Sequence, residues 1–471
     1  MIITIALIPS CALKQNRLKM VMNSTQMTNR AHKQETRNDS SKFMRTFNRL
    51  SADLPYPQEL LKLYKNNSFQ NIFLNRFVSG GQLQVFTTYL ASIDQHGLDI
   101  DLFPSERIKK LLNRKEEINS IAESDANELE LLIASSLVRY SLILQFGVTI
   151  PSMVYENYEI PTLAPDSSLI MEIAQVVDLK KYLDSIQPKD KTYLALQKKL
   201  AMIETDKTVQ TVEHQKKLIV NLERLRWKNR PIFQKFVAVN IANFTLNVMD
   251  KNRSVLNMKI CVGEPGERAT PQLGSIIHSV QVNPVWNIPH SIARQEIIRL
   301  AAEDRYYLAN SKINVYQSGK LVPEPEGIDW STVDADKYLF QQQPGTKNAL
   351  GKIKFLFANK SSVYLHDTPE RAIFKKEYRA VSHGCIRVEK PLELAYVLFG
   401  KSEKFQQIKS AMQNGMPRAK YIVLTAPVPV RILYYTAWID GAGDVKFCDD
   451  IYGWDDALYI ALQKPVFNDH L

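Results

Sequence analysis

The sequence predicts an α+β protein: an N-terminal helical domain followed by a C-terminal β-rich, β-sandwich-like domain that carries a long lid-like insertion. Three observations predict it. Apolar residues recur at spacings of three and four from about residue 51 to 230, the period of one helix face. After Pro231 the period changes to two, as strands require. Residues 264–350 then break the alternating runs with Pro-, Gly- and Asn-containing segments, and an insertion of that length in a compact domain is more often a functional loop than a passive connection. The expected division is 1–50 for an export signal and basic linker, 51–230 for the helical domain and 231–471 for the strand-rich domain.

Taken in order, the first eleven residues, MIITIALIPSC, are apolar and uncharged. They resemble a short export h-region with a Ser10-Cys11 step, which would make Cys11 a lipidated residue and the N-terminus a membrane tether. The competing expectation, weighed evenly, is an ordinary solvated terminus, since no positive n-region precedes the run. Residues 12–50 carry nine Lys or Arg against two acids, a local +7, and read as a solvated tether. In the helical domain, Leu129, Leu132, Ile133, Leu137, Tyr140 and Leu144 form an apolar stripe, with Ser124 and Asp125 as candidate N-caps and Gly147 as a stop. A second helix is expected over Val212–Trp227, with Leu218, Leu222 and Leu225 on one face and Pro231 as its end. Val237, Val239 and Ile241, then Phe244, Leu246 and Val248, then Leu256, Met258, Ile260 and Val262 alternate around turn residues 250–252, which predicts a hairpin. Further strands are expected at 353–357, 363–365, 421–424, 428–435 and 445–447, and an amphipathic stretch at Ile292–Asp304.

Composition narrows the function. The 471 residues are 45% hydrophobic and 23% charged, which excludes a disordered or disulfide-scaffold protein. The net charge is +11, but residues outside the 12–50 segment hold only +4 of it, so a nucleic-acid-binding body is disfavoured. No window reaches the ~18–20 consecutive apolar residues that span a bilayer. Cys11, Cys261, Cys385 and Cys448 lie far apart with no C-x-x-C pair, so no metal site is expected, and Cys261 and Cys448 read as buried free thiols rather than a disulfide.

The chemistry concentrates in residues 364–391, which hold two of the eight histidines and one of the four cysteines. A cysteine nucleophile needs a base, a group orienting that base, and backbone N–H donors aimed at the developing oxyanion. Cys385 follows Gly384, whose missing side chain lets backbone amides approach a substrate carbonyl, so the amides near both residues are the candidate oxyanion hole. His366 stands at the end of the 363–365 strand, and His383 lies two residues before Cys385. Spacing alone leaves both histidines as candidate bases.

The string Ser382-His383-Gly384-Cys385-Ile386-Arg387, preceded by His366 with fifteen residues in between, resembles the pattern of L,D-transpeptidases with a YkuD-type catalytic domain. Segments N-P-V-W-N-I-P-H-S-I at 283–292, Q-P-G-T-K-N-A-L-G-K-I-K-F at 343–355 and Y-L-H-D-T-P at 364–369 are similar to the subgroup that joins a helical scaffold domain to that domain. So are H-G-L-D at 96–99, L-V-R-Y at 137–140 and N-L-E-R-L-R-W at 221–227. The resemblance implies Cys385 as nucleophile and His366 as base, with the Asp367 backbone carbonyl orienting the imidazole. Ser382, His383 and Gly384 would shape the site and its oxyanion hole, and Arg387 and Tyr364 would line the substrate. Trp286, with Tyr306 and Tyr307 of the insertion, is a separate candidate for a lid or substrate-binding wall, weighed evenly against a surface elaboration that packs its own aromatics. The resemblance further implies a cell-envelope, periplasmic enzyme that joins peptidoglycan stem peptides by 3→3 cross-links through a cysteine thioester. No cofactor is needed, and carbapenems would acylate the same sulfur. Two departures stand: many members have Asn in place of Arg387, and no room remains after the 195–204 helix for the subgroup's usual peptidoglycan-binding module. An L,D-carboxypeptidase using water, and an inactive peptidoglycan-binding scaffold, are the competing functions; intact His366 and Cys385 argue against the second.

Overall fold

The computed structural model describes residues 40–463, apart from 119–121, 164, 204–208, 228–232 and 252. The expected export signal, Cys11 and most of the basic linker therefore lie outside the described residues, as does Pro231. The helical part starts earlier than expected. Residues Ser40–Leu50 form a helix whose Phe43, Thr46 and Phe47 are buried, because apolar positions three and four apart form a core-facing stripe even among basic neighbours.

Helix Glu123–Phe146 is the axis of this half, with Ala126 to Leu144 buried apart from Arg139. A one-sided stripe was expected; the helix is buried all round because other helices pack on several of its sides. By length and composition it is apolar enough to cross a membrane, yet 83% of that stretch is buried inside the protein. Ala122, rather than Ser124 or Asp125, precedes its first turn, and Gly147 ends it at φ +90°. A side chain at Gly147 would collide with Glu223 and Trp227. Inside the same half the buried Glu130 carboxylate accepts the N–H groups of Phe73 and Leu74 and the Tyr64 hydroxyl, meeting the unpaired amides at the start of the Ile72–Phe77 helix. The second expected helix runs Val209–Arg226.

The strands are β1 (Tyr158–Glu159), β2 (Lys235–Asn240), β3 (Thr245–Asp250), β4 (Arg253–Gly263), β5 (Gln272–Val282), β6 (Trp286–Ile288), β7 (Ile313–Gln317), β8 (Lys320–Leu321), β9 (Tyr338–Gln342), β10 (Ile353–Phe357), β11 (Leu365–His366), β12 (Ala380–Ser382), β13 (Ile386–Val388), β14 (Lys420–Leu433), β15 (Ala437–Ile439) and β16 (Val445–Phe447). One mixed sheet runs β1-β5-β10-β11-β13-β4-β3-β2-β14, and β14 also pairs with β5, so the sheet closes on itself. Its sides enclose one core, as two sandwich layers would: Val239, Leu246, Ile260, Val280, Phe355, Leu365, Ile386 and Ile432 point inward with Leu394 and Ile408 from helices Pro391–Phe399 and Glu403–Asn414. The two alternating runs expected at 421–424 and 428–435 are parts of β14, joined across an irregularity between Val423 and Val428.

The interruption expected over 264–350 is narrower. Gln272–Val282 is β5, a strand paired on both sides within the main sheet; its alternation was hidden by Ser, His and Gln on the face away from the core. The part that stands apart holds β6 to β9 as a four-stranded sheet in the order β6-β9-β7-β8. A helical stretch, His290–Glu303, includes a π turn at Ala293–Ile297, and Ile292, Ile297, Val315, Trp330 and Phe340 form a core of their own.

Candidate active site

The site grows from two short parallel strands. In β11 and β13, Leu365 pairs with Ile386 and His366 with Arg387, and the Ile386 N–H donates to the Tyr364 carbonyl at 3.1 Å. Leu365 and Ile386 are fully buried in the core. Strand alternation then turns Tyr364, His366, Cys385 and Arg387 to the opposite face.

His366 is 4% exposed, and its Nδ1 lies 2.6 Å from the Asp367 carbonyl oxygen. A carbonyl only accepts, so Nδ1 carries the proton and Nε2 is left as an acceptor. Burial pushes this imidazole down to about 3, helped by the charges of Arg387 and Lys354 and opposed by the Asp367 carbonyl. The carbonyl is itself held. One Asp367 carboxylate oxygen accepts the Lys352 N–H at 2.9 Å, and the other accepts the Thr368 N–H at 2.8 Å and Arg371 Nη2 at 2.7 Å. Gly351, at φ +60°, leaves room for that carboxylate, where a Cβ would overlap it.

The Cys385 thiol is pushed up by burial; the adjacent Tyr364 and the charges of Lys354 and Arg387 act against that rise. The Tyr364 ring meets the His366 ring edge-on with centroids 5.7 Å apart. Arg387 is tied to Glu370 at 2.6 Å.

The turn that presents Cys385 is built on two glycines. Gly384 sits at φ +106°, a conformation that side chains other than glycine's rarely adopt. Its carbonyl accepts Thr270 Oγ1 at 2.8 Å, and the same oxygen of Thr270 accepts the Gly263 N–H at 2.9 Å. Tyr452 donates to the Gly263 carbonyl at 2.6 Å, and a Cβ at Gly263 would overlap the Arg268 carbonyl. Ser382 Oγ donates to the Cys385 carbonyl at 2.6 Å and accepts the Gly384 N–H at 3.3 Å. The Gly384 amide, one of the expected oxyanion donors, is thus engaged; the Cys385 N–H has no partner among the described residues.

The structure separates the two histidines. His366 shares a sheet face with Cys385, whereas His383 Nε2 meets Glu296 Oε1 of the insertion at 2.5 Å. The positive φ at Gly384 breaks the extended path that would have turned His383 and Cys385 the same way. Trp286 starts β6, paired with Gln342, and packs on the insertion's core; the structure gives it no hydrogen bond or ring contact with Cys385, His366 or Tyr364. Cys261 is a buried free thiol and Cys448 a half-buried one. Residues missed by sequence reasoning are Lys354, Thr270, Tyr452, Arg268 and Glu296. Lys354 lay inside the G-K-I-K-F run but carried no signal, because alternating lysines ordinarily mark a solvated strand face.

A cavity of about 530 Å³ adjoins the Asp367–Pro369 segment. A slightly larger one, about 570 Å³, lies between the helical half and helix Trp454–Gln463 and shares no residue with the site.

The sequence matches the L,D-transpeptidase catalytic domain, YkuD, over residues 234–398 and the Scaffold domain over residues 58–200. A curated protein of Haemophilus influenzae named "Putative L,D-transpeptidase" is 29% identical over 313 residues, which is 65% of this chain and 62% of that protein. Among solved structures, an L,D-transpeptidase from Mycobacterium smegmatis is 14% identical with a TM-score of 0.21, covering 42% of this chain and 58% of that one. LdtMt1 in complex with imipenem gives 14% identity and a TM-score of 0.21, covering 42% and 59%. The chain therefore carries an L,D-transpeptidase (YkuD) catalytic domain, the region that holds Cys385 and His366, preceded by a Scaffold domain.

Proposed function

We propose that this protein is a peptidoglycan L,D-transpeptidase of the cell envelope that forms 3→3 cross-links through a thioester on Cys385. One observation carries the reading: Cys385 and a buried His366, whose Nδ1 bonds to the Asp367 carbonyl at 2.6 Å and leaves Nε2 as an acceptor, share one sheet face beside Tyr364 and Arg387. Burial holds the imidazole neutral and the thiol protonated, so the proton leaves sulfur as the bond to carbon forms. In this reading Cys385 Sγ attacks the carbonyl between the third stem residue and the terminal D-alanine, and its proton passes to His366 Nε2. The oxyanion is met by the Cys385 N–H. As the C–N bond breaks, the imidazolium gives its proton to the departing D-alanine amine and the thioester remains. The amine of a second stem then attacks the thioester; its proton goes to His366 and on to sulfur as the C–S bond breaks.

Incubating the protein and its Cys385→Ala variant with a carbapenem, followed by intact-protein mass spectrometry, tests the nucleophile. A single adduct on the wild type, absent from the variant, is expected. An adduct that persists in the variant sinks the assignment. Product analysis on isolated muropeptides separates the acceptor: a cross-linked dimer is expected, whereas trimmed tripeptide stems alone would make the enzyme an L,D-carboxypeptidase.

A further inference from the structure

The pairing registers set one row of residues across the polar face of the sheet: Tyr421, Gln281, Lys354, His366, Arg387 and Cys261, from six successive strands. Lys354 is directly opposite His366 in this row. Its ammonium lies 5.2 Å from the Tyr364 ring centroid, and Tyr364 in turn lies beside the turn that presents Cys385, its carbonyl accepting the Ile386 N–H at 3.1 Å. Among the described residues no carboxylate pairs with Lys354, although burial works against its charge. On its other side Gln281 is 5% exposed and its Oε1 has no partner among the described residues, an acceptor that favours a cation next to it. A half-buried cation without a counter-charge is costly to keep charged, and such groups are retained where an anion appears during function.

We propose that Lys354 is the charge partner of the reacting sulfur: its ammonium balances the negative charge that develops on Cys385 as the proton passes to His366. The inference rests on the Cys385–His366 reading above. Arg387, the other cation facing the pair, already has a carboxylate partner in Glu370 at 2.6 Å, whereas Lys354 has none among the described residues. Tyr364 and His366, which flank Leu365 on the face of the sulfur, carry no negative charge at neutral pH.

The test is the pH dependence of Cys385 alkylation by iodoacetamide in the full chain, with the modified cysteine assigned by peptide mass spectrometry to separate it from Cys261 and Cys448. In Lys354→Met the midpoint of the rate profile is expected to rise by about one pH unit, which lowers the rate at pH 7.5 roughly tenfold, and Lys354→Arg is expected to restore most of it. A folded Lys354→Met protein, by circular dichroism and melting temperature, with the wild-type midpoint overturns the proposal. Should that variant not fold, Lys354→Gln is read the same way. Failure of this inference is distinct from failure of the nucleophile reading: the first leaves the carbapenem adduct on Cys385 intact, and the second removes it.

Discussion

The Asp367 carbonyl does for His366 what a carboxylate does in many nucleophile–base pairs, fixing the tautomer without placing a negative charge beside the ring. Burial and the charges of Arg387 and Lys354, acting against the opposing pull of that carbonyl, keep the imidazole uncharged far below its ordinary range, down to about 3. The consequence for stability follows from linkage. Unfolded, the ring takes a proton below about pH 6.5; folded, it resists until about 3, so the stability present above pH 6.5 is lost as the pH falls toward 3. His96 in the helical half, likewise held down to about 3 by burial and Arg226, adds to the same loss. Each group contributes up to ~1.4 kcal/mol per pH unit over this window. We expect the melting temperature to fall more steeply from pH 7 to 4.5 in the wild type than in His366→Asn, as read by differential scanning calorimetry; parallel slopes would show that His366 is not protonation-resistant in the fold.

At the scale of elements, alternation along β10, β11 and β13 separates core from chemistry: Ile353, Phe355, Leu365 and Ile386 face the core while Lys354, His366 and Arg387 face the site. That alternation was legible in the residues of β10 and β11. Less legible was the insertion, because β5 presents Ser279 and Gln281 on its polar face and so resembles a loop when read alone. Glu296 from the insertion holds His383 and lies 3.3 Å from Arg268, whose carbonyl is packed against the Gly263–Gly384 contact. The insertion is therefore tied to the turn that presents Cys385. Replacing the segment between Ile288 and Phe340 by a short Gly-Ser linker is expected to raise KM for stem peptides about tenfold or more, while alkylation of Cys385 by a small reagent proceeds. Steady-state kinetics on muropeptides check this, and unchanged KM would remove the insertion from substrate binding.

Over the whole molecule, the two halves are joined by a buried polar network. Arg224 of the Val209–Arg226 helix pairs with Asp455 of the Trp454–Gln463 helix at 2.6 Å, with both side chains at most 2% exposed. Thr436 bridges Asp455 and Asn221, and Tyr155 completes the cluster through Arg224. Leu196, Leu200, Leu218 and Leu222 pack with Ala437 across the same junction. Removing one member of a buried pair strands its partner's charge and typically costs ~3–5 kcal/mol. Arg224→Ala is expected to lower the melting temperature and to split a single calorimetric transition into two, whereas Arg224→Met with Asp455→Leu recovers much of the loss. A single unshifted transition in Arg224→Ala would show that the halves are held by apolar packing alone.

The helical and strand-rich halves, the Val209–Arg226 helix, the β2–β4 meander and the scarcity that singles out Cys385 and His366 were determined by the sequence itself, because periodicity and rare reactive side chains are properties of local order. Which histidine shares a sheet face with Cys385, which nearby backbone amide has no partner among the described residues, and that Lys354 lies in the row with His366 were decided only by tertiary structure. Each depends on strand register and on the positive φ of Gly384, and these bring together residues whose separation along the chain carries no trace of their adjacency.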